Sequence, residues 1–291
     1  MSSTQHRYRS DLIAELAAAV AVQKLPLESY GDQILAQEWT HCPKQLINAL
    51  RRAIIADVPT MRIDSCFAHS DTNCDFDPFT TELRVGMIPI RANADEFLFE
   101  TEILPEEEQP PSWKPRFESD RNVLEKLGHG IAGRPNYLPI STFVAGASNE
   151  IQEILKTIDP RTTLVFELKA ECTFNEETQQ LESEVVRGSD LKWIPIGEQQ
   201  ANVVVKPTPH PDVVISELTW GQRMHRILFC VKGTGFEHAK WRGADAHFKL
   251  LAENRYKFIV KSKDGAEAQK YLKDACSILS QRYTQLARDC Q

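Results

Sequence analysis

Apolar positions recur at helical spacing in several separate stretches. Residues 10–23 are Ala-rich with high helix propensity, and Pro26 ends the segment. In residues 43–56, Leu46, Ile47, Leu50, Ile54 and Ile55 form one stripe with Arg51 and Arg52 off it, and Pro43 and Pro59 punctuate the two ends. Residues 148–158 carry a shorter helical pattern. The strongest signal is at 265–289, where Ala268, Tyr271, Leu272, Ala275, Ile278, Leu279 and Leu286 share one face. Asp264 and Glu267 have the spacing of a capping box for that helix.

Elsewhere the period shortens. Strand-like runs at 163–173, 183–196, 202–206, 213–218 and 227–232 are set off by turn-forming residues, which predicts a β-rich middle. Two more strands are expected at 247–251 and 256–261, just before the last helix. Between 61 and 90 the pattern predicts short strands or loops ending in the apolar run 85–90, and the Glu- and Pro-rich stretch 100–115 predicts an exposed linker. The sum is an α+β protein with helices and strands segregated along the chain.

Composition narrows what such a protein does. The chain has 291 residues, 42% of them hydrophobic and 26% charged, the balance of a globular protein with a sizeable core. A formal charge of −7 argues against a surface devoted to duplex nucleic acid, which needs clustered Lys and Arg. Trp193, Trp220 and Trp241 are not interleaved with basic residues and read as core or interface side chains, not base-stacking platforms. Seven scattered cysteines, odd in number, fit a reducing intracellular compartment. The apolar stretch 12–22 is too short to span a bilayer and reads as a short helix.

No chemistry-bearing motif is complete. Asp75 and Asp77 have the look of a magnesium-binding loop, but no third closely spaced Asp follows and Pro78 stiffens the turn. Cys66, His69 and Cys74, with His41 and Cys42 upstream, lack the short Cys-x-x-Cys knuckle of structural zinc sites. The Gly233-Thr234-Gly235 turn lacks both the third glycine of a dinucleotide fingerprint and a P-loop Lys-Ser/Thr. His210, His225, His238 and His247 are isolated and read as structural. The residues predict neither catalytic groups nor a cofactor or metal site.

Four blocks in order carry a resemblance. NALRRAIIADVPTM at 48–61, LRVGMIPI at 83–90, DLKWIPIG at 190–197 and CVKGTGFEHAKW at 230–241 are similar to the alpha-like assembly subunits of multi-subunit DNA-directed RNA polymerases, the bacterial alpha, archaeal D and eukaryotic third-largest-subunit family. The later blocks resemble the member shared by polymerases I and III more than that of polymerase II. The likeness runs from about Trp39 to Leu286.

It implies a helical extension at 1–29, a discontinuous dimerisation domain at 30–64 and 243–291, and a β-rich insert at 65–242 between its halves. It also implies a non-catalytic scaffold that pairs with a small alpha-like subunit and seats the second-largest and largest subunits, with magnesium in the largest. The subunit interface it implies draws on Asn48, Leu50, Arg51, Arg52 and Ile55, on Lys232, Gly233, His238, Lys240 and Trp241, and on Tyr271, Leu272, Ile278 and Leu279. Arg51 and Arg52 would contact the large subunit, and residues 233–241 would either shape a turn or touch a partner. A cellular enzyme would place the protein in the nucleus, and a large DNA virus would place it in a cytoplasmic factory or virion. Against this stand an independent nucleic-acid-binding or regulatory module and a metal-dependent enzyme using Asp75 and Asp77.

Overall fold

A computed structural model describes residues 21–24, 31–71, 78–99, 155, 158–173 and 183–289. The expected linker at 100–115, most of the helix at 148–158 and the Asp75/Asp77 loop lie outside the described residues. The chain divides into two compact units, one from the described parts of Met1–Pro59 and Thr234–Gln291, the other from those of Thr60–Gly233. The boundaries expected at 64/65 and 242/243 differ from these because the second unit's sheet begins at Thr60, paired with Gly233.

The first unit is an antiparallel four-stranded sheet with two helices on one face. Its strands are β1 (Ala21–Lys24), β2 (Ile34–Thr40), β11 (Ala244–Ala252) and β12 (Arg255–Ser262), in the spatial order β1-β2-β12-β11. The helices are α1 (Lys44–Ala56) and α4 (Ala268–Asp289). Pairing Tyr256 with Trp39, Phe258 with Gln37 and Val260 with Leu35 sets alternate residues on one side. There Leu35, Trp39, Tyr256, Phe258 and Val260 join Ile47, Leu50, Ala53 and Ile54 of α1 and Ala268, Tyr271, Leu272 and Ala275 of α4 in a single core.

The helix expected to reach residue 23 gives way to β1, whose four residues pair with Gln37–Thr40 of β2. Helix propensity is a weak local preference, and an edge position beside an existing strand overrides it. The capping box expected from Asp264 and Glu267 is also absent. Asp264 lies upstream of the helix and its buried carboxylate accepts from the Ser262 hydroxyl (3.0 Å), the Ala266 N–H (3.1 Å) and the Tyr271 hydroxyl. Asp264 thus joins the end of β12 to the first turn of α4.

The second unit is built on β3 (Thr60–Asp71), β10 (Arg223–Gly233), β5 (Thr163–Glu171) and β7 (Leu191–Ile194), in the order β3-β10-β5-β7. Two short pairs flank it, β4 (Ile90–Arg91) with β8 (Thr208–Pro209) and β6 (Glu184–Arg187) with β9 (Val214–Leu218). Helix α2 (Pro78–Gly86) packs on β3, so residues 83–86, expected as strand or loop, are helical and only Ile90–Arg91 pairs. The strand expected at 202–206 is missing too; the short helix α3 (Gln199–Asn202) ends there, and Val204, 86% exposed, gives its N–H to the Glu96 carboxylate (3.3 Å) and not to a neighbouring strand. The remaining strands form near the expected positions. Within this core Arg62 is fully buried and donates to the carbonyls of Met61 (3.0 Å) and Ile90 (3.2 Å), which pins β4 against β3.

Candidate functional site

Helix α1 presents two faces of different chemistry. Its apolar stripe is committed inward, with Leu50 buried and Leu46 and Ile55 half-buried against the core of the first unit. On the outer side, the Asn48 Oδ1 accepts from both Nε (3.2 Å) and Nη2 (3.1 Å) of Arg51, one turn on. That clamp fixes the guanidinium plane before any partner arrives, and its remaining N–H donors bond to no other described residue. Arg52 is exposed and pairs with no carboxylate among the described residues.

The C-terminus of α1 is closed by chain far away in sequence. Helices end with carbonyls that lack an intrahelical donor. Here the Phe236 N–H donates to the Ala56 carbonyl at 2.9 Å, and Gly235 lies so close that a Cβ on it would sit 2.1 Å from the Ile55 oxygen. Glycine is required at 235 by approach distance. Glu237 then accepts from the Thr234 N–H (2.7 Å), His238 Nδ1 accepts from the Lys240 N–H (3.0 Å), and the Lys240 ammonium sits 4.2 Å from the centroid of the Trp241 ring. Phe236 is left 84% exposed at the tip of this loop.

Helix α4 is half core and half projection. Tyr271 and Leu272 are buried in the first unit's own core, Ile278 and Leu279 are half-buried, and every residue from 280 to 289 is exposed. Its 22 residues span about 33 Å at the usual rise. On the projecting part, Tyr283 (55% exposed) and Leu286 (58% exposed) continue the line of Leu279 at spacings of four and three residues. Arg282 Nη1 meets Asp57 Oδ2 at 2.6 Å, tying α4 to the residue that caps α1. That hydrogen bond pushes the Arg282 pKa further up, with burial opposing it and the Asp57 charge adding to it.

The expected interface residues therefore separate. Asn48, Arg51, Arg52, His238, Lys240, Ile278 and Leu279 have side chains wholly or partly at the surface of the first unit, while Leu50, Tyr271, Leu272 and Trp241 are buried in it. Lys232 and Gly233 belong to the second unit. The Lys232 ammonium is spent there, donating to the Phe97 carbonyl (2.9 Å) with the Phe99 ring 4.8 Å away, and Gly233 pairs with Thr60. Pattern reading did not single out Asp57 and Arg282, which lie 225 residues apart.

Among the described residues no group of three or more His, Cys, Asp or Glu is placed to hold a metal. Cys42 is fully buried, and burial pushes its thiol up against the smaller opposite pull of the Ile47 N–H, which keeps it protonated and a poor ligand. Among those residues no helix is long and apolar enough to cross a membrane.

A sheet carrying two helices on one face, with its sequence split around an inserted β-rich unit, is matched over residues 41–283 by the model of the RNA polymerase Rpb3/Rpb11 dimerisation domain. The chain belongs to that family. Among curated relatives of this dimerisation-domain family, it is 26% identical over 220 residues to the human DNA-directed RNA polymerases I and III subunit RPAC1, covering 72% of this chain and 48% of that protein. The RPAC1 of Dictyostelium discoideum is 25% identical over 200 residues, covering 67% and 43%. The archaeal DNA-directed RNA polymerase subunit Rpo3 of Methanocaldococcus jannaschii is 22% identical over 240 residues and is matched over 82% of both chains. The chain spans about half the length of the RPAC1 relatives.

Proposed function

We propose that this chain is a non-catalytic scaffold subunit of a multi-subunit DNA-directed RNA polymerase. It pairs with a small alpha-like subunit, and the pair seats the second-largest subunit and through it the largest, which holds the catalytic magnesium. The observation that carries this reading is the projecting half of α4, where Leu279, Tyr283 and Leu286 extend an apolar line beyond the chain's own core. An isolated helix end with that pattern gains by burying it in a second protein. The family's description as a dimerisation domain supports a pairing role for the chain.

Arg51, held by Asn48, and the exposed Arg52 lie off the apolar stripe and supply directional donors for carboxylates or carbonyls of a large subunit. Residues 234–241 cap α1 and serve that contact by holding the helix in place, with His238 and Lys240 the polar groups nearest a docked partner. The protein's place is then wherever its polymerase assembles inside the cell, the nucleus for a cellular enzyme.

Affinity purification of the full chain from its native source, with mass spectrometry and promoter-independent RNA synthesis on the eluate, tests the reading. Recovery of a small alpha-like protein, two very large subunits and RNA-synthesising activity is the expected result. A lone chain, or one retained only on nucleic acid, overturns it.

A further inference from the structure

The face of the first unit's sheet opposite the helices has a different character from the rest of the protein. Its residues alternate with the core positions, so β11 contributes Asp245, His247 and Lys249, β12 contributes Arg255, Lys257, Ile259 and Lys261, and β2 contributes Ile34, Ala36 and Glu38. Lys263 continues the β12 row. The sheet's aromatic residues, Trp39, Phe248, Tyr256 and Phe258, are all on the helix side.

In a chain of net charge −7 this face is basic. Its two carboxylates are already taken. Glu38 binds Arg255 at 2.5 Å, and Asp245 binds both Arg242 at 2.5 Å and Lys263 at 3.1 Å. Among the described residues Lys249, Lys257 and Lys261 have no carboxylate within ion-pair distance, although Lys257 stands across the ladder from Glu38 and Lys261 from Asp245, both already bound to other cations. Two of them, Lys249 and Lys257, are direct cross-strand partners. Like charges directly opposite one another destabilise a ladder, so folding gains nothing from this pair. Along β12, Lys257 and Lys261 are about 13 Å apart at the usual strand rise, with half-buried Ile259 midway on the same face.

We infer that this face, turned away from α1 and α4, is a docking surface for an extended acidic segment of another polypeptide, with carboxylates four residues apart over Lys257 and Lys261 and an apolar side chain between them over Ile259. Charge complementarity selects the acid, and the rise of an extended chain matches the spacing of the two lysines. Nucleic acid fits less well, because no aromatic ring on this face offers bases a stacking surface and the protein as a whole repels phosphate. The surface is on the other side of the sheet from α1 and α4, so the inference stands apart from the scaffold reading.

The test uses the purified full chain and a fluorescent peptide repeating Glu-Thr-Val-Thr, read by anisotropy at low and physiological salt. Saturable binding that weakens with salt is expected. Lys257→Glu with Lys261→Glu should weaken it by about tenfold or more, since two exposed pairs become repulsions. Lys249→Glu separates function from folding. It replaces a like-charge cross-strand pair with an opposite one, so the melting temperature should rise by about 1–2 °C while peptide affinity falls several-fold. Absence of saturable peptide binding, affinity unchanged in the double variant, or tighter lysine-dependent binding of a single-stranded RNA of equal charge would each overturn the proposal.

Discussion

Replacing Gly235 by alanine isolates the contribution of the loop that closes α1. The added Cβ would sit 2.1 Å from the Ile55 oxygen and 3.2 Å from the Ala56 Cα. Carbon and oxygen ordinarily approach no closer than about 3.3 Å, so loop and helix must separate by roughly 1 Å. Both contacting atoms are backbone, and no rotamer change relieves the overlap. Overpacking of this kind costs about 1–3 kcal/mol. Separation also stretches the Phe236 N–H bond to the Ala56 carbonyl, worth a further ~1 kcal/mol. A total near 2–4 kcal/mol, with a urea slope of about 2 kcal/mol per molar, moves the unfolding midpoint of the first unit down by about 1–2 M. The assay is urea unfolding followed by Trp fluorescence, with Gly265→Ala as the comparison. Gly265 has φ +78° but nothing within 4 Å of its Cβ position, so that variant should lose only about 1 kcal/mol from the left-handed backbone. A Gly235→Ala midpoint equal to wild type, or a smaller loss than Gly265→Ala, refutes the capping argument.

Three further outcomes are expected. Tyr283→Glu with Leu286→Glu should abolish recovery of the small partner while changing the thermal midpoint little, because both side chains lie outside the core; co-purification and calorimetry read the two effects. Asp264→Ala should destabilise by about 3 kcal/mol or more in urea melts, since it removes the acceptor of three hydrogen bonds and strands buried donors at the start of α4. Arg282→Ala should cost about 0.5 kcal/mol at most by the same measurement, because its exposed pairing with Asp57 is screened by solvent; a loss above about 2 kcal/mol would show that the pair holds the helices together.

The sequence carried the elements with strong period. The stripes of α1 and α4 were legible because burial on one side of a helix leaves a spacing of three and four, and β5, β9, β10 and β12 because β-branched and aromatic residues cluster there. What misled was local preference against tertiary context. Ala21, Val22 and Gln23 continue an Ala-rich run, yet their backbone pairs with β2. Leu83–Ile90 is an apolar run whose first part is wound into α2, because short apolar runs do not declare their period. The interface residues divided by depth. Periodicity marks which side chains leave water, and it does not say whether they leave it for their own core, as Leu50 and Tyr271 do, or stay outside it, as Leu286 does. The partners of Lys232 were hidden for another reason, since Phe97 and Phe99 lie well over a hundred residues back.

Thr60 and Gly233 are cross-strand partners at the ends of β3 and β10. The chain therefore enters and leaves the second unit through a gate only about 5 Å wide, the ordinary separation of paired strands. For the first unit everything between those residues is one closed loop, and each doubling of its length adds only about 0.6 kcal/mol to the entropy of closing it. Lineages can lengthen, shorten or exchange what hangs from that gate without disturbing the sheet, the caps of α1 or the projecting end of α4. Material added there changes what the protein can reach while leaving intact what it holds.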